Sequence, residues 1–283
     1  MFVLVHNALE QKAGQLPRAS TVADGGVFSS VTVAFGKHKR SISVSQSRYH
    51  NTQNARQRCW YSEGLPYSTT EWSMSGRYTG RTDIPLTPHG EEQVSSSAGV
   101  IVGPGKLIDP SKIVHLFISP RIRARRTYDI LFDESAQKQF AENAEITEDI
   151  REWEYGAYEG LLTAEIRTAR KGKGLDKERP WNIWLDGCED GESAAEVSDR
   201  LDGIIAKIRE IQGPYMHGEK YVDIVLIAHG HILRAFTKRW LGFELGVSLP
   251  MMLEPGAVGV LSYEHHNVKE PAFLLGVNMG GSK

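Results

Sequence analysis

Cysteine and long apolar runs are both scarce in this chain. Two cysteines in 283 residues are too few for a disulfide framework, which favours a reducing compartment such as the cytoplasm. No apolar stretch approaches the roughly 18 residues that a membrane span requires. Net charge is also small, −2 at pH 7, so the chain has no general basic field for nucleic acid or an anionic membrane. The composition is that of a globular protein.

The first 65 residues lack the periodicity of a folded domain. Ser, Gln, Asn, Gly and Arg dominate them, and apolar patterning is confined to residues 2–5 and 27–35. We interpret residues 1–65 as a leader that is disordered or foreign to the domain after it. Their Arg and Ser content with few acids leaves a mitochondrial transit peptide as the alternative. The domain itself is expected to span residues 66–283.

From residue 69 onward, apolar segments alternate between the periods of helices and strands. Ser193 and Glu196 form a capping box at the start of one helix. Helices are predicted over 87–100, 121–132, 193–211 and 232–240. Strands are predicted over 113–118, 222–228, 257–263 and 273–276. This alternation indicates an α/β fold with a mainly parallel sheet that helices cover on both faces.

Polar segments follow three of the apolar runs directly. They span residues 119–127, 151–160 and 229–234. In an open α/β sheet, the residues just past the carboxyl ends of strands line the ligand crevice, so Arg123, Glu152 and His229 are expected to meet. An arginine, a carboxyl and a histidine together indicate phosphate chemistry.

Residues 119–123 lie where a strand leads into a helix. Free backbone N–H groups, the positive end of the helix dipole and a guanidinium all favour an anion there. Within the arginine-rich run we assign the functional role to Arg123. Arg121, Arg125 and Arg126 are interpreted as a solvated helix face.

Glu152 and His229 are the remaining candidates. Glu152 lies beside Trp153, in surroundings that can raise its pKa and let it donate a proton to a leaving oxygen, and Glu154 is the competing carboxyl. His229 follows a strand directly and can donate hydrogen bonds to phosphate oxygens, while Gly230 lets the backbone approach a ligand. A buried structural histidine is the alternative for His229.

Several segments resemble the histidine phosphatase superfamily. They read TEWSMSGRYTGRTDIPLT, SPRIRARRT, REWEYGAYEG and HGHILR, and the KERPWNIW run resembles its sedoheptulose-1,7-bisphosphatase branch. The resemblance implies a phosphoglycerate mutase-like three-layer α/β/α sandwich. It also implies a phosphatase of small sugar bisphosphates that works through a phosphohistidine, without a metal or other cofactor, in carbohydrate metabolism of the pentose phosphate type.

The resemblance also implies roles for individual residues. Arg123 and His229 would bind the transferred phosphoryl group, and Glu152 would be the proton donor. The residues expected to line the site are Tyr78, Thr79, Ser119 and Tyr155. Of the charged run near the KERPWNIW segment, Arg170 and Lys177 are expected to hold a second phosphate.

The chain departs from the family at the nucleophile. The family's first strand ends in Arg-His-Gly, whose histidine attacks phosphorus, whereas Pro66, Tyr67 and Ser68 stand here. A phenol with a pKa of about 10 costs roughly 4 kcal/mol to ionise at pH 7, so we expect a crippled catalyst. As an alternative, residues 2–6 supply the first strand, and His6 at its end supplies the nucleophile. The loop over residues 7–68 would then be unusually long.

Two further functions stay open from the sequence. A phosphoglycerate mutase-type phosphotransferase would return the phosphoryl group to an acceptor sugar. A catalytically dead protein would only bind a phosphorylated ligand. The histidine pairs at 229/231 and 265/266 lack the Cys or carboxylate spacing of a metal site, and a homo-oligomer is left open.

Overall fold

The computed structural model describes the backbone of residues 2–5 and the ranges 69–217, 220–254 and 256–275. Within them, strands and helices alternate along the chain. The strands are β1 (Phe2–Val5), β2 (Ile113–Ile118), β3 (Ala144–Ile146), β4 (Asp223–Ile227), β5 (Val258–Tyr263) and β6 (Pro271–Phe273). The α-helices are α1 (Glu71–Ser75), α2 (Pro88–Ile101), α3 (Ile122–Leu131), α4 (Glu134–Gln139), α5 (Thr163–Gly172), α6 (Ile183–Asp186), α7 (Ala194–Gln212) and α8 (Gly230–Trp240). No helix in these ranges is both long and apolar enough to cross a membrane.

The described strands form one sheet in the order β3-β2-β4-β1-β5-β6. Strand β2 is parallel to both β3 and β4, and β1 is parallel to β5. The pairs β1–β4 and β5–β6 are antiparallel. The sheet is therefore mainly parallel, as the alternation of elements predicts.

Apolar side chains on the two faces of the sheet pack into two separate cores. Phe117 and Leu226 point into a core with the helices α7 and α8. Their chain neighbours Leu116 and Val225 point into the other core, with α2 and α3. Because successive side chains of a strand alternate between faces, β2, β4 and β5 each contribute to both cores. The three-layer α/β/α sandwich is confirmed.

Most element boundaries agree with the sequence pattern. Strand β2 has the predicted limits, and the capping box of Ser193 starts α7. Helix α8 begins two residues before the predicted start, with His229 as its N-cap. Strand β6 ends at Phe273, whereas the predicted strand 273–276 began there. The difference arises because Tyr263 pairs with Pro271 across a short hairpin, which fixes the register of β6 on β5.

Strand β1 lies inside the sheet, although residues 1–65 were expected outside the domain. Its direction is opposite to that of β4, so Phe2 pairs with Ile227 and Val5 pairs with Ile224. The carboxyl end of β1 therefore lies at the amino end of β4, away from the edge that leads to His229. In the alternative based on residues 2–6, the first strand would carry the nucleophile at its carboxyl end. Strand β1 does lie between β4 and β5, but it runs in the direction that leads away from His229.

Three of the sequence interpretations fall outside the described residues. They concern His6, Tyr67 and the remainder of the leader beyond β1. For residues 6–65 the leader therefore stays a prediction, and so does the start of the domain at residue 66.

Candidate active site

Arg123, Glu152 and His229 meet at one cavity of about 370 Å³. Each reaches it from a segment that follows a strand of the parallel part of the sheet. The predicted residues Tyr78, Thr79 and Tyr155 line the same cavity. Ser119 reaches it indirectly, through a hydrogen bond to His229.

Arg123 is a buried cation whose hydrogen-bond partners are all uncharged. Its guanidinium donates to the carbonyls of Thr79, Gly80 and Thr82 at 3.0, 3.2 and 3.1 Å, and to His229 Nδ1 at 3.2 Å. Only 8% of the residue is exposed, and among the described residues no carboxylate lies within ion-pair distance of it. Burial lowers its pKa, since the charged form is desolvated. An anion in the cavity would supply the missing counter-charge.

His229 is held as a neutral imidazole. Because Nδ1 accepts from Arg123, the proton resides on Nε2, which donates to Ser119 Oγ at 2.7 Å. Burial, and next the charge of Arg123, hold the pKa of His229 well below its usual range. The ring therefore reaches the cavity as an uncharged, firmly oriented group.

Glu152 caps the start of helix α8. Its Oε1 accepts from the backbone N–H groups of Trp153 and Ile232 at 2.9 and 3.0 Å, and its Oε2 accepts from His231 N–H at 3.1 Å. Burial raises the pKa of Glu152, although those N–H groups and Arg123 oppose the shift. A raised pKa is what a carboxyl requires to donate a proton near neutral pH.

Glu154, the competing carboxyl, forms an ion pair with Arg81 at 2.9 Å instead and does not line the cavity. The structure thus distinguishes Glu152 from Glu154, which the sequence alone could not do.

The start of helix α3 corrects one expectation. Asp83 Oδ1 accepts from Ile122 N–H at 2.7 Å, so this N–H is not free to bind an anion. Arg126 forms a two-pronged ion pair with Glu91 at 2.7 and 2.8 Å on the surface, in agreement with a solvated helix face. The cation that α3 contributes to the cavity is Arg123.

A short loop at residues 79–82 shapes the surroundings of Arg123. The Glu159 carboxylate accepts from Gly80 N–H at 2.9 Å and from Thr82 N–H at 3.0 Å, which turns the loop carbonyls towards the guanidinium. A Cβ at Gly80 would lie 2.6 Å from the carbonyl oxygen of Trp153, so no larger residue fits there. Glu159 was not anticipated, since a carboxyl far along the chain carries no local signal for this contact.

An aromatic wall forms another side of the cavity. The rings of Tyr78 and His231 stack at 5.6 Å with an interplanar angle of 22°. Tyr155 Oη lies 2.9 Å from His231 Nδ1, and Tyr78 Oη lies 3.2 Å from Thr163 Oγ1. His231 was considered only as a metal ligand. Its place in the wall depends on contacts with Tyr78 and Tyr155, which are remote in sequence.

Two more arginines line the cavity, Arg77 and Arg234. Arg234 Nε donates to the carbonyl of Gly230 at 2.8 Å, and no carboxylate in the described part of the chain pairs with it. Arg77 donates to the carbonyl of Gly160 at 2.6 Å and lies 3.3 Å from Glu165. The cavity thus has a second source of positive charge besides Arg123.

The residues predicted to hold a second phosphate lie elsewhere. Arg170 forms an ion pair with Asp176 at 2.7 Å and donates to Tyr158 Oη at 2.9 Å. Lys177 is exposed, and neither residue lines the cavity. Asp176, six residues after Arg170, already neutralises that guanidinium. Over the ranges that the structure describes, no three His, Cys, Asp or Glu side chains are grouped to hold a metal ion.

Comparisons with known proteins agree with this geometry. A family model of the histidine phosphatase superfamily (branch 1) matches residues 68–272. The chain is 40% identical over 244 residues to sedoheptulose 1,7-bisphosphatase of Saccharomyces cerevisiae, covering 74% of this chain and 89% of that protein. It is 34% identical over 210 residues to an acid phosphatase of Mycobacterium tuberculosis, covering 74% and 89%.

A solved structure of a protein from an open reading frame of Mycobacterium tuberculosis superposes with a TM-score of 0.53 at 27% identity, covering 74% of this chain and 92% of that one. The family match includes Arg123, Glu152 and His229, the groups that meet at the cavity. The chain therefore belongs to the histidine phosphatase superfamily and is, by family, a phosphoric monoester hydrolase.

Proposed function

We propose that this chain is built as a phosphatase of a small sugar bisphosphate of the sedoheptulose-1,7-bisphosphate type. The observation that carries the proposal is the buried Arg123, which has no described carboxylate partner and lies beside His229 and Glu152 in one cavity. At about 370 Å³ the cavity suits a small ligand. We assign the second phosphate to Arg234, which lines the cavity and has no carboxylate partner among the described residues.

The proposed reaction has two steps. In the first, an imidazole nitrogen forms a bond to phosphorus, the bond from phosphorus to the sugar oxygen breaks, and Glu152 donates its proton to the leaving alkoxide. Arg123 stabilises the charge on the equatorial phosphoryl oxygens, and His229 does so when its Nε2–H group donates to one of them in place of Ser119 Oγ. In the second, Glu152 accepts a proton from water, the water oxygen bonds to phosphorus, and the bond from phosphorus to nitrogen breaks to release phosphate.

The chain departs from this mechanism at the nucleophile. Both ring nitrogens of His229 are engaged by Arg123 and Ser119, and Tyr67 stands where the family pattern requires a histidine. The binding groups thus meet at the cavity, and we propose that the attacking imidazole is missing, so the protein as written should bind its substrate well and turn it over slowly.

Restoring the nucleophile tests the proposal. A variant with Pro66→Arg, Tyr67→His and Ser68→Gly should release phosphate from sedoheptulose-1,7-bisphosphate at least about 10³-fold faster than the unaltered chain. Rapid-quench labelling should show an acid-labile phosphoprotein only in this variant. Calorimetry of the unaltered chain measures substrate binding separately.

Arg123→Lys and Arg126→Lys are a matched pair of controls on helix α3. The first removes the guanidinium fork from the cavity and should weaken binding of the bisphosphate by about 10-fold or more. The second alters only the surface pair with Glu91 and should leave binding unchanged. Equal affinities in the two variants would contradict the assignment of Arg123.

The other functions give different results in the same assays. A mutase transfers the label to an added hydroxylated acceptor instead of releasing free phosphate. A pure binding protein binds the bisphosphate in calorimetry, yet the restored variant forms no phosphoprotein.

A further inference from the structure

Along helix α8, three side chains line the cavity in sequence: His229, His231 and Arg234. With a rise of about 1.5 Å per residue, His231 lies between the other two along the helix axis. His229 binds Arg123, whereas Arg234 provides a separate cation whose Nε donates to the carbonyl of Gly230. His231 therefore lines the same cavity as two cations suited to phosphates, Arg123 and Arg234.

The hydrogen bond to Tyr155 determines which nitrogen of His231 carries the proton. Tyr155 is buried, and among the described residues its hydroxyl has no partner other than His231 Nδ1, 2.9 Å away. If Nδ1 were the donor, the phenol proton would be left buried without an acceptor, which is costly. The arrangement that satisfies both groups has Tyr155 donating to Nδ1 and the ring proton on Nε2.

Nε2 of His231 is then a donor without a partner in the part of the chain that the structure describes. The ring is fixed by its stack on Tyr78 and by a tilted contact with Trp184 at 5.6 Å. Burial, and next the charge of Arg234, lower the pKa of His231 to about 3, so the ring stays uncharged across neutral pH. The wall thus presents a rigid, uncharged N–H donor.

We propose that His231 is a specificity-determining residue whose Nε2–H group hydrogen-bonds an uncharged hydroxyl or carbonyl oxygen in the sugar portion of the substrate. This inference rests on the proposed function and identifies the sugar portion as the part that is recognised. The phosphates bind the charged donors Arg123 and Arg234, since charge-assisted hydrogen bonds are the stronger ones. The neutral donor is left for a neutral oxygen, so an anionic ligand without hydroxyl groups gains nothing from it.

Two amide substitutions separate the roles of the ring nitrogens. His231→Gln places an amide N–H near the position of Nε2, whereas His231→Asn places its amide near Nδ1, within reach of Tyr155 only. His231→Phe keeps a ring that can stack on Tyr78 but has no donor, and it serves as a second test should the Asn variant fold poorly. Each variant is measured in the full-length chain.

The measurement is calorimetric binding of two ligands, sedoheptulose-1,7-bisphosphate and an alkanediol bisphosphate of similar length without hydroxyl groups. The unaltered chain should prefer the sugar. His231→Asn and His231→Phe should lose about 3- to 10-fold in affinity for the sugar and keep their affinity for the alkanediol bisphosphate. His231→Gln should retain most of the preference for the sugar.

The possible outcomes distinguish the two proposals. An equal loss of affinity for both ligands in the Asn and Phe variants would show that His231 only supports the aromatic wall. That result overturns this inference but not the proposed function. An undiminished sugar preference in those variants also overturns it. If the unaltered chain binds neither bisphosphate, both the proposed function and this inference are wrong.

Discussion

The polar residues of the cavity are each fixed by partners that come from distant parts of the chain. Arg123 donates to three loop carbonyls, His229 is held between Arg123 and Ser119, and Glu152 binds the first N–H groups of α8. Their meeting was predictable, because each follows a strand of one parallel sheet. Their protonation states were not, since a pKa shift depends on burial and on neighbours that the sequence does not bring together.

The neutral state of His231 predicts how stability changes with pH. Its pKa is about 3 in the folded protein, against an ordinary value near 6.5, so between these values the unfolded chain binds more protons. Lowering the pH from 6.5 to 5 should therefore cost the folded state about 1 to 2 kcal/mol through this residue. Urea unfolding at several pH values should show a flatter profile for His231→Gln.

His265→Gln provides a control of the opposite sign. His265 is exposed and paired with Glu270, which raises its pKa, so its contribution to stability is present at low pH and disappears as the pH rises through the folded value. Parallel pH profiles for the unaltered chain and His231→Gln would contradict the assignment of a partly buried, neutral ring.

At the scale of elements, the segment after Glu152 folds back against the loop that precedes α7. Gly156 has φ of +51°, in the left-handed region. A Cβ on it would lie 2.2 Å from the carbonyl oxygen of Glu189. Glu192, three residues beyond, accepts from Trp153 Nε1 through its carbonyl and binds both Arg151 and Arg200 through its carboxylate. This close approach of two backbones holds the Glu152 segment in place.

Gly156→Ala should therefore destabilise the protein by more than about 2 kcal/mol, because the new methyl group meets backbone and not a mobile side chain. Gly174→Ala is the matched control, since Gly174 also has a positive φ, +75°, but has no atom within 4 Å of a built Cβ. The control should lose only about 1 kcal/mol from backbone strain. Similar losses of unfolding free energy in urea would show that the contact with Glu189 is unimportant.

On the scale of the whole molecule, the strand β1 joins the two parts of the sheet. Strands β3, β2 and β4 lie on one side of it, and β5 and β6 lie on the other. Its backbone supplies partners to the inner edges of both β4 and β5. Those edges would otherwise be buried with unpaired N–H and C=O groups, which is costly.

Leu4→Pro removes a backbone donor from this central strand and should destabilise the protein by several kcal/mol, on the order of 3 or more. Leu4→Val keeps the N–H group and a high strand propensity, so it should have a much smaller effect. Thermal unfolding of both variants is the measurement. A Pro variant as stable as the Val variant would show that residues 2–5 contribute nothing to the sheet in solution.

The sequence by itself determined the α/β class, the buried strands β2 and β4 and the capping of α7. It also determined the choice of Arg123, Glu152 and His229 as the residues that meet at the site. These follow from local periodicity and from the rule that ligands bind beyond the carboxyl ends of strands, which operate within short segments. Only the tertiary structure decided that β1 runs antiparallel to β4, that Glu152 rather than Glu154 reaches the cavity, and that Arg170 is neutralised by Asp176. It also brought His231 and Arg234 into the site. These outcomes depend on contacts between residues far apart in the chain, and burial, which shifts their pKa values and selects their partners, exists only once the layers have packed.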